Sequence, residues 1–147
     1  MNERQLNILL ADDDFDDRFF FEKALSELPV IAALTVVKDG QELMQFLNEE
    51  TNTLPDVLFL DINMPCKTGT ECLTEMKLNK KLKDIPVTMF STSNSPENIK
   101  MLFQKGANVY IHKPNDFSKL KEIIFRALPI STENIFSKTP IKYILNA

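Results

Sequence analysis

The sequence predicts an open α/β fold with a doubly wound parallel sheet, and three observations lead there. Five short apolar runs alternate with amphipathic stretches of roughly ten to fifteen residues, the rhythm of repeated βα units. The first and third runs end in acids: Asp12-Asp13-Asp14 follow Asn7-Ile8-Leu9-Leu10-Ala11, and Asp61 follows Val57-Leu58-Phe59-Leu60. In a parallel sheet those two ends converge at one edge, where open α/β folds place their ligands. The amphipathic stretches also carry helix punctuation, with Pro29 and Pro129 as stops and Ser95-Pro96 as a start.

Strands are expected near residues 6–11, 33–37, 56–60, 86–91 and 108–112. The first helix, about 15–28, places Phe21, Ala24, Leu25 and Leu28 at helical spacing. The second, about 40–50, buries Leu43, Phe46 and Leu47, and the third, about 69–80, uses Cys72, Leu73 and Met76. Ser95 as N-cap and Pro96 at the first helical position open the fourth, which ends near Gly106. Asp116 caps the fifth, whose stripe of Leu120, Ile123, Ile124, Ala127 and Leu128 ends before Pro129. Five βα pairs joined by right-handed crossovers fit a flavodoxin-like strand order of 2-1-3-4-5, with the switch point between strands 1 and 3. That point is where the two acid sites meet.

Residues 1–128 thus form one domain. Residues 129–147, with Ile130, Ile135, Phe136, Ile141, Tyr143, Ile144 and Leu145, are too apolar for a solvated linker. They are expected to be an extension that docks on the domain or on a partner, a second copy included. No apolar run is long enough to span a bilayer, and Met1-Asn2-Glu3-Arg4-Gln5 is no signal peptide, so a cytoplasmic protein is expected. A net charge of -4 argues against direct nucleic-acid binding, and the basic stretch Lys77, Lys80, Lys81, Lys83 reads as a solvated helix end. Cys66, Cys72 and the single His112 fit neither a disulfide framework nor a zinc spacing.

The acids carry the chemistry. Gathered carboxylates raise one another's pKa unless a cation sits among them. A partly open set of hard oxygen ligands suits Mg²⁺, which keeps several waters and is usually held by one or two carboxylates plus a phosphate. Asp14, Asp16 and Asp17 lie beyond the first pair and read as first-turn helix carboxylates favoured by the helix dipole.

Five separately placed signals resemble the receiver domain of two-component response regulators over roughly residues 5–128. They are Leu9-Leu10-Ala11-Asp12-Asp13-Asp14, Leu60-Asp61-Ile62-Asn63-Met64-Pro65 with Gly69, Ile85-Pro86-Val87-Thr88-Met89-Phe90-Ser91, Lys105-Gly106-Ala107 and Tyr110-Ile111-His112-Lys113-Pro114. The resemblance implies that Asp61 is the phosphoacceptor, loaded by a histidine kinase or histidine phosphotransfer protein. It implies Mg²⁺ bound directly by Asp13 and Asp61, largely through water by Asp12, and by the backbone carbonyl of Asn63. Lys113 would reach the phosphoryl oxygens, and a cis Lys113-Pro114 bond would aim it inward. Ser91 would hydrogen-bond the phosphoryl group while Tyr110 rotates from exposed to buried, altering the face made by the fourth helix, fifth strand and fifth helix. The bland alternative for Tyr110 is a rim residue with its hydroxyl in water.

Some positions depart from the family pattern. Thr92 follows Ser91 where Ala or Gly is usual, and His112 stands where an apolar residue is common and reads as structural. Asn63 and Ser93 occupy positions that in this family tune aspartyl-phosphate lifetime. Cys66, after Asp61, reads as a bystander. The expected function is a stand-alone, single-domain phosphorylation switch, not an enzyme beyond self-catalysed phosphorylation and dephosphorylation, whose output runs through an unknown downstream protein or a homodimer. A receiver-fold interaction module that is never phosphorylated stays open. A haloacid-dehalogenase-like phosphatase fits less well, because the acid it needs two residues after the nucleophile is Asn63 here.

Overall fold

A computed structural model describes residues 5–93, 95–133 and 143–145, with side chains described up to residue 128. The elements are β1 (Leu6–Ala11), α1 (Phe15–Ser26), β2 (Ala32–Val37), α2 (Gly40–Asn48), β3 (Val57–Leu60), α3 (Gly69–Lys77), β4 (Val87–Ser91), α4 (Pro96–Gln104), β5 (Val109–His112), α5 (Phe117–Glu133) and β6 (Tyr143–Leu145). All strand pairs are parallel, and the sheet order is β2-β1-β3-β4-β5-β6. The first five strands therefore take the flavodoxin-like 2-1-3-4-5 order expected from the sequence.

Two differences lie at the C-terminal end. Helix α5 does not stop before Pro129 but continues to Glu133. Proline's fixed φ is compatible with a helix, so its cost is one lost backbone bond and local crowding rather than an obligatory stop. Within the 129–147 extension, the backbone of β6 pairs with β5 through Val109↔Tyr143, Tyr110↔Ile144 and Ile111↔Leu145. The apolar side chains from which its docking or dimerisation was expected lie outside the described residues.

Strands β3 and β4 are buried along their whole length because helices cover both faces of the sheet. Period-two alternation splits their side chains between two cores. Leu9, Leu58, Leu60 and Met89 face Leu43 and Leu47 of α2, Leu73 and Met76 of α3, and Leu102 of α4. Ile8, Leu10, Phe59 and Phe90 face Phe21 and Ala24 of α1 and Ile123, Ile124 and Ala127 of α5. In the second core the Phe21 ring meets Phe59 at 4.9 Å and Phe90 at 5.8 Å, edge to face as aromatic quadrupoles prefer.

Caps set the helix starts and hence the loops at the sheet's carboxyl edge. Asp14 accepts from the Asp17 amide, Asp39 from Glu42, and Ser95 from Asn98, while Thr68 and Glu71 form a reciprocal capping box. Asp116 accepts from the Ser118 amide at the start of α5, as expected. No helix among the described residues is long and apolar enough to cross a membrane.

Because Phe59 is fully buried between two aromatic partners, Phe59→Ala should cost about 3–5 kcal/mol in urea unfolding. Phe19→Ala, at a 52 % exposed position, should cost less than about 1 kcal/mol. Equal losses would contradict this packing.

Candidate metal and phosphoacceptor site

The site is assembled by residues that each stand one step beyond a strand. Sheet hydrogen bonding continues through them: the Asp12 amide donates to Val37 O (3.1 Å), the Asp61 amide to Ala11 O (3.0 Å) and the Lys113 amide to Ser91 O (2.8 Å). Those bonds fix where the side chains leave the sheet. Carboxylate oxygens of Asp12, Asp13 and Asp61 all lie within 4.8 Å of one another. The two acid sites foreseen at the switch point do converge.

Asp12 and Asp61 are buried, whereas Asp13 is open to solvent. Burial raises the pKa of both buried acids, Asp61 to about 6, against the opposing pull of Lys113; the Asp12 charge pushes Asp61 further up. Against these carboxylates stand the Lys113 ammonium and, donating to the Asp12 backbone carbonyl at 3.0 Å, the Arg18 guanidinium. An all-oxygen donor set with one open member fits a hard divalent cation, and no histidine or thiol joins the cluster.

Lys113 Nζ lies 2.8 Å from Asp12 Oδ2, 2.8 Å from Asp17 Oδ2 and 3.4 Å from Asp61 Oδ2. Burial would lower its pKa, but these partners hold it above the ordinary lysine value. The ammonium also sits 5.3 Å from the Phe90 ring centroid. Asp17 was read from the sequence as a helix-dipole carboxylate only. Its ion pair spans 96 positions, and no local pattern announces it.

Ser91 is fully buried at the end of β4, and its Oγ accepts from the Ser93 amide at 3.1 Å. Tyr110 is 1 % exposed and donates its hydroxyl proton to Ser93 O at 2.5 Å. This excludes the rim reading with the hydroxyl in water, and it places the ring at the inward end of the expected rotation. The buried β5 position and a waiting carbonyl account for the inward ring. His112 Nε2 lies 3.1 Å from Thr92 O, so the nitrogen facing that carbonyl carries the proton and the histidine serves as a loop anchor.

Gly69 stands where the sequence placed it. A Cβ there would lie 2.0 Å from Asp61 O, and its amide donates to Ile62 O, so α3 packs directly against the Asp61 backbone. Asn63 is exposed in the intervening loop. Cys66, exposed in the same loop, has φ 68°, while burial pushes the Cys72 thiol up to about 11. One expectation fails: no peptide bond among the described residues is cis, so Lys113-Pro114 is trans. Trans is the intrinsically favoured isomer of an X-Pro bond, and the lysine's carboxylate partners orient it inward without a special turn.

The family model described as the response regulator receiver domain matches residues 8–125. The chain belongs to this family. Response regulator Rcp1 of Synechocystis sp. is 30 % identical over 121 residues, covering 80 % of this chain and 82 % of Rcp1. The two-component response regulator ARR17 of Arabidopsis thaliana is 30 % identical over 131 residues, covering 81 % and 84 %. The crystal structure of the Mn(2+)-bound form of Rcp1 superimposes with a TM-score of 0.78 at 28 % identity, covering 86 % of this chain and 96 % of that one. That of the phosphorylated cyanobacterial phytochrome response regulator RcpA gives 0.80 at 31 % identity, covering 92 % and 97 %. The protein is thus a receiver domain of the two-component response-regulator type, with an acidic cluster able to hold a divalent metal.

The raised Asp61 pKa makes a stability prediction for this receiver domain in metal-free buffer. Between the unfolded value near 4 and the folded value of about 6 the native state holds more protons, so stability falls as pH rises through that window and stays lower above it. Asp61→Asn should therefore be more stable than wild type at pH 7.5, by on the order of 1–2 kcal/mol, with the gap closing below about pH 4. A variant no more stable than wild type at pH 7.5 would contradict the assigned burial of charge.

Proposed function

We propose that this receiver domain is a phosphorylation switch that accepts a phosphoryl group on Asp61 from a histidine kinase or histidine phosphotransfer protein. The observation that carries the reading is the convergence of Asp12, Asp13 and Asp61 oxygens within 4.8 Å, with Lys113 against them. An Asp61 carboxylate oxygen bonds to phosphorus as the phosphorus–nitrogen bond of the donor phosphohistidine breaks, and the imidazole keeps the bonding electrons and takes up a proton. Mg²⁺, held by Asp13, Asp61, the Asn63 carbonyl and, through water, Asp12, would neutralise charge on the incoming phosphoryl group. Lys113 supplies a second positive charge where negative charge gathers. Its reach to Asp61 Oδ2, 3.4 Å, supports that role.

A donor imidazole must approach over the rim of the carboxyl edge. There the cleft beside Lys113, about 430 Å³ in volume, is lined in part by Phe20 of α1 and Phe117 of α5. Exposed Phe15 and Phe19 extend that apolar rim along α1, which suits a protein donor better than a small phosphomonoester. On the output side, Ser91 would donate to the phosphoryl group, tightening the loop whose carbonyls already receive Tyr110 and His112. The α4–β5–α5 face would carry the change to a downstream protein, to a second copy of the chain or to a further phosphotransfer protein in the cytoplasm. We assign no enzymatic role beyond self-catalysed phosphorylation and dephosphorylation, and no direct nucleic-acid contact.

Incubation with acetyl phosphate and Mg²⁺ should add one acid-labile phosphoryl group by intact-mass spectrometry. Asp61→Asn, or EDTA in place of Mg²⁺, should abolish the addition. Label retained by Asp61→Asn would move the acceptor elsewhere. Continuous hydrolysis of phosphomonoesters would favour a phosphatase.

A further inference from the structure

One ammonium serves three carboxylates at this edge, and the acceptor is the farthest of them. Lys113 Nζ is 2.8 Å from Asp12 and Asp17 but 3.4 Å from Asp61, and its side chain is only 8 % exposed. Asp12 is a member of the proposed cation site; Asp17 is not, and its oxygens lie outside the cluster. A cation in that site would therefore weaken the Asp12 contact while leaving the Asp17 contact in place. Asp17 is held where it can do this. Its amide donates to Asp14 Oδ1 in the cap of α1, which fixes the first turn of the helix and turns its third residue toward Lys113. The pair is partly screened, with the Asp17 side chain 38 % exposed, so the tether is weak enough to release.

We propose that Asp17 is a positioning residue that competes with Asp61 for the Lys113 ammonium and thereby restrains phosphorylation of Asp61. The proposal rests on the reading of Asp61 as phosphoacceptor. As the phosphoryl group arrives from acetyl phosphate, an Asp61 oxygen bonds to phosphorus, the bond from phosphorus to the acetyl oxygen breaks, and acetate leaves with those electrons. Lys113 must then exchange the Asp17 carboxylate for phosphoryl oxygens. Asp17 competes for the charge that the transfer step uses. Asp16, one position earlier on the same helix turn, carries the same charge but no bond to Lys113 among those described, and so separates tethering from bulk repulsion of an anionic donor.

The test is the rate of Asp61 phosphorylation against acetyl phosphate concentration, with Mg²⁺, for wild type, Asp17→Asn, Asp17→Glu and Asp16→Asn. Release of a partly exposed ion pair should raise the limiting rate of Asp17→Asn about two- to fivefold. Asp17→Glu, which keeps a carboxylate within reach, should stay closer to wild type. Asp16→Asn should alter at most the donor concentration needed for half the limiting rate. An unchanged or slower Asp17→Asn, or an equal gain in limiting rate for Asp16→Asn, would overturn the proposal while labelled wild type left the phosphoacceptor reading intact. Absence of label on wild type would overturn both.

Discussion

Burial of carboxylates at the sheet edge, with their repulsion added to it, is the constraint on which the rest of this molecule depends. Asp12 and Asp61 are buried within reach of each other and of Asp13, an arrangement that raises the free energy of the ionised state. Lys113 offsets part of it, and a bound cation would offset more. The same crowding that costs stability suits the pocket to a divalent cation.

Such a cluster persists only if the scaffold is rigid enough to impose it. Here the sheet itself does so, because Asp12, Asp61 and Lys113 each extend the hydrogen-bond ladder of an adjacent strand. Two apolar cores clamp that sheet, and the Phe21–Phe59–Phe90 group lies directly beneath the edge. Gly69 lets α3 close on the Asp61 backbone, where any side chain would collide. Opposite these fixed parts, the loop after Ser91 is held by single bonds from Tyr110 and His112 to consecutive carbonyls. That contrast suits a switch, in which a few bonds change and the core does not.

Much of this was legible in the sequence for identifiable reasons. Strands buried on both faces leave apolar runs, so β1, β3 and β4 lie within a residue or two of their expected ends, and Asp12 and Asp61 stand where those runs stop. Gly69, Ser91 and Lys113 came from the resemblance to receiver domains. What escaped were contacts between distant segments. The Asp17–Lys113 pair joins the start of α1 to the end of β5, and sequence periodicity carries no information about which rim side chains meet there. A local rule misled at Pro129, which interrupts a helix less than its reputation suggests, and the resemblance misled at Pro114, which needs no cis bond once carboxylates hold the preceding lysine. The parallel pairing of β6 with β5 had no local signature in so short a segment.

The central claim is that the crowded acids are a cation site rather than a chance gathering of surface charge. The most direct measurement is anomalous diffraction from crystals soaked in Mn²⁺. A single peak within bonding distance of Asp13 and Asp61, with Lys113 no longer against Asp12, is the result expected. Coordinates without an ion at that edge at saturating Mn²⁺, or with the ion bound elsewhere, would contradict the account.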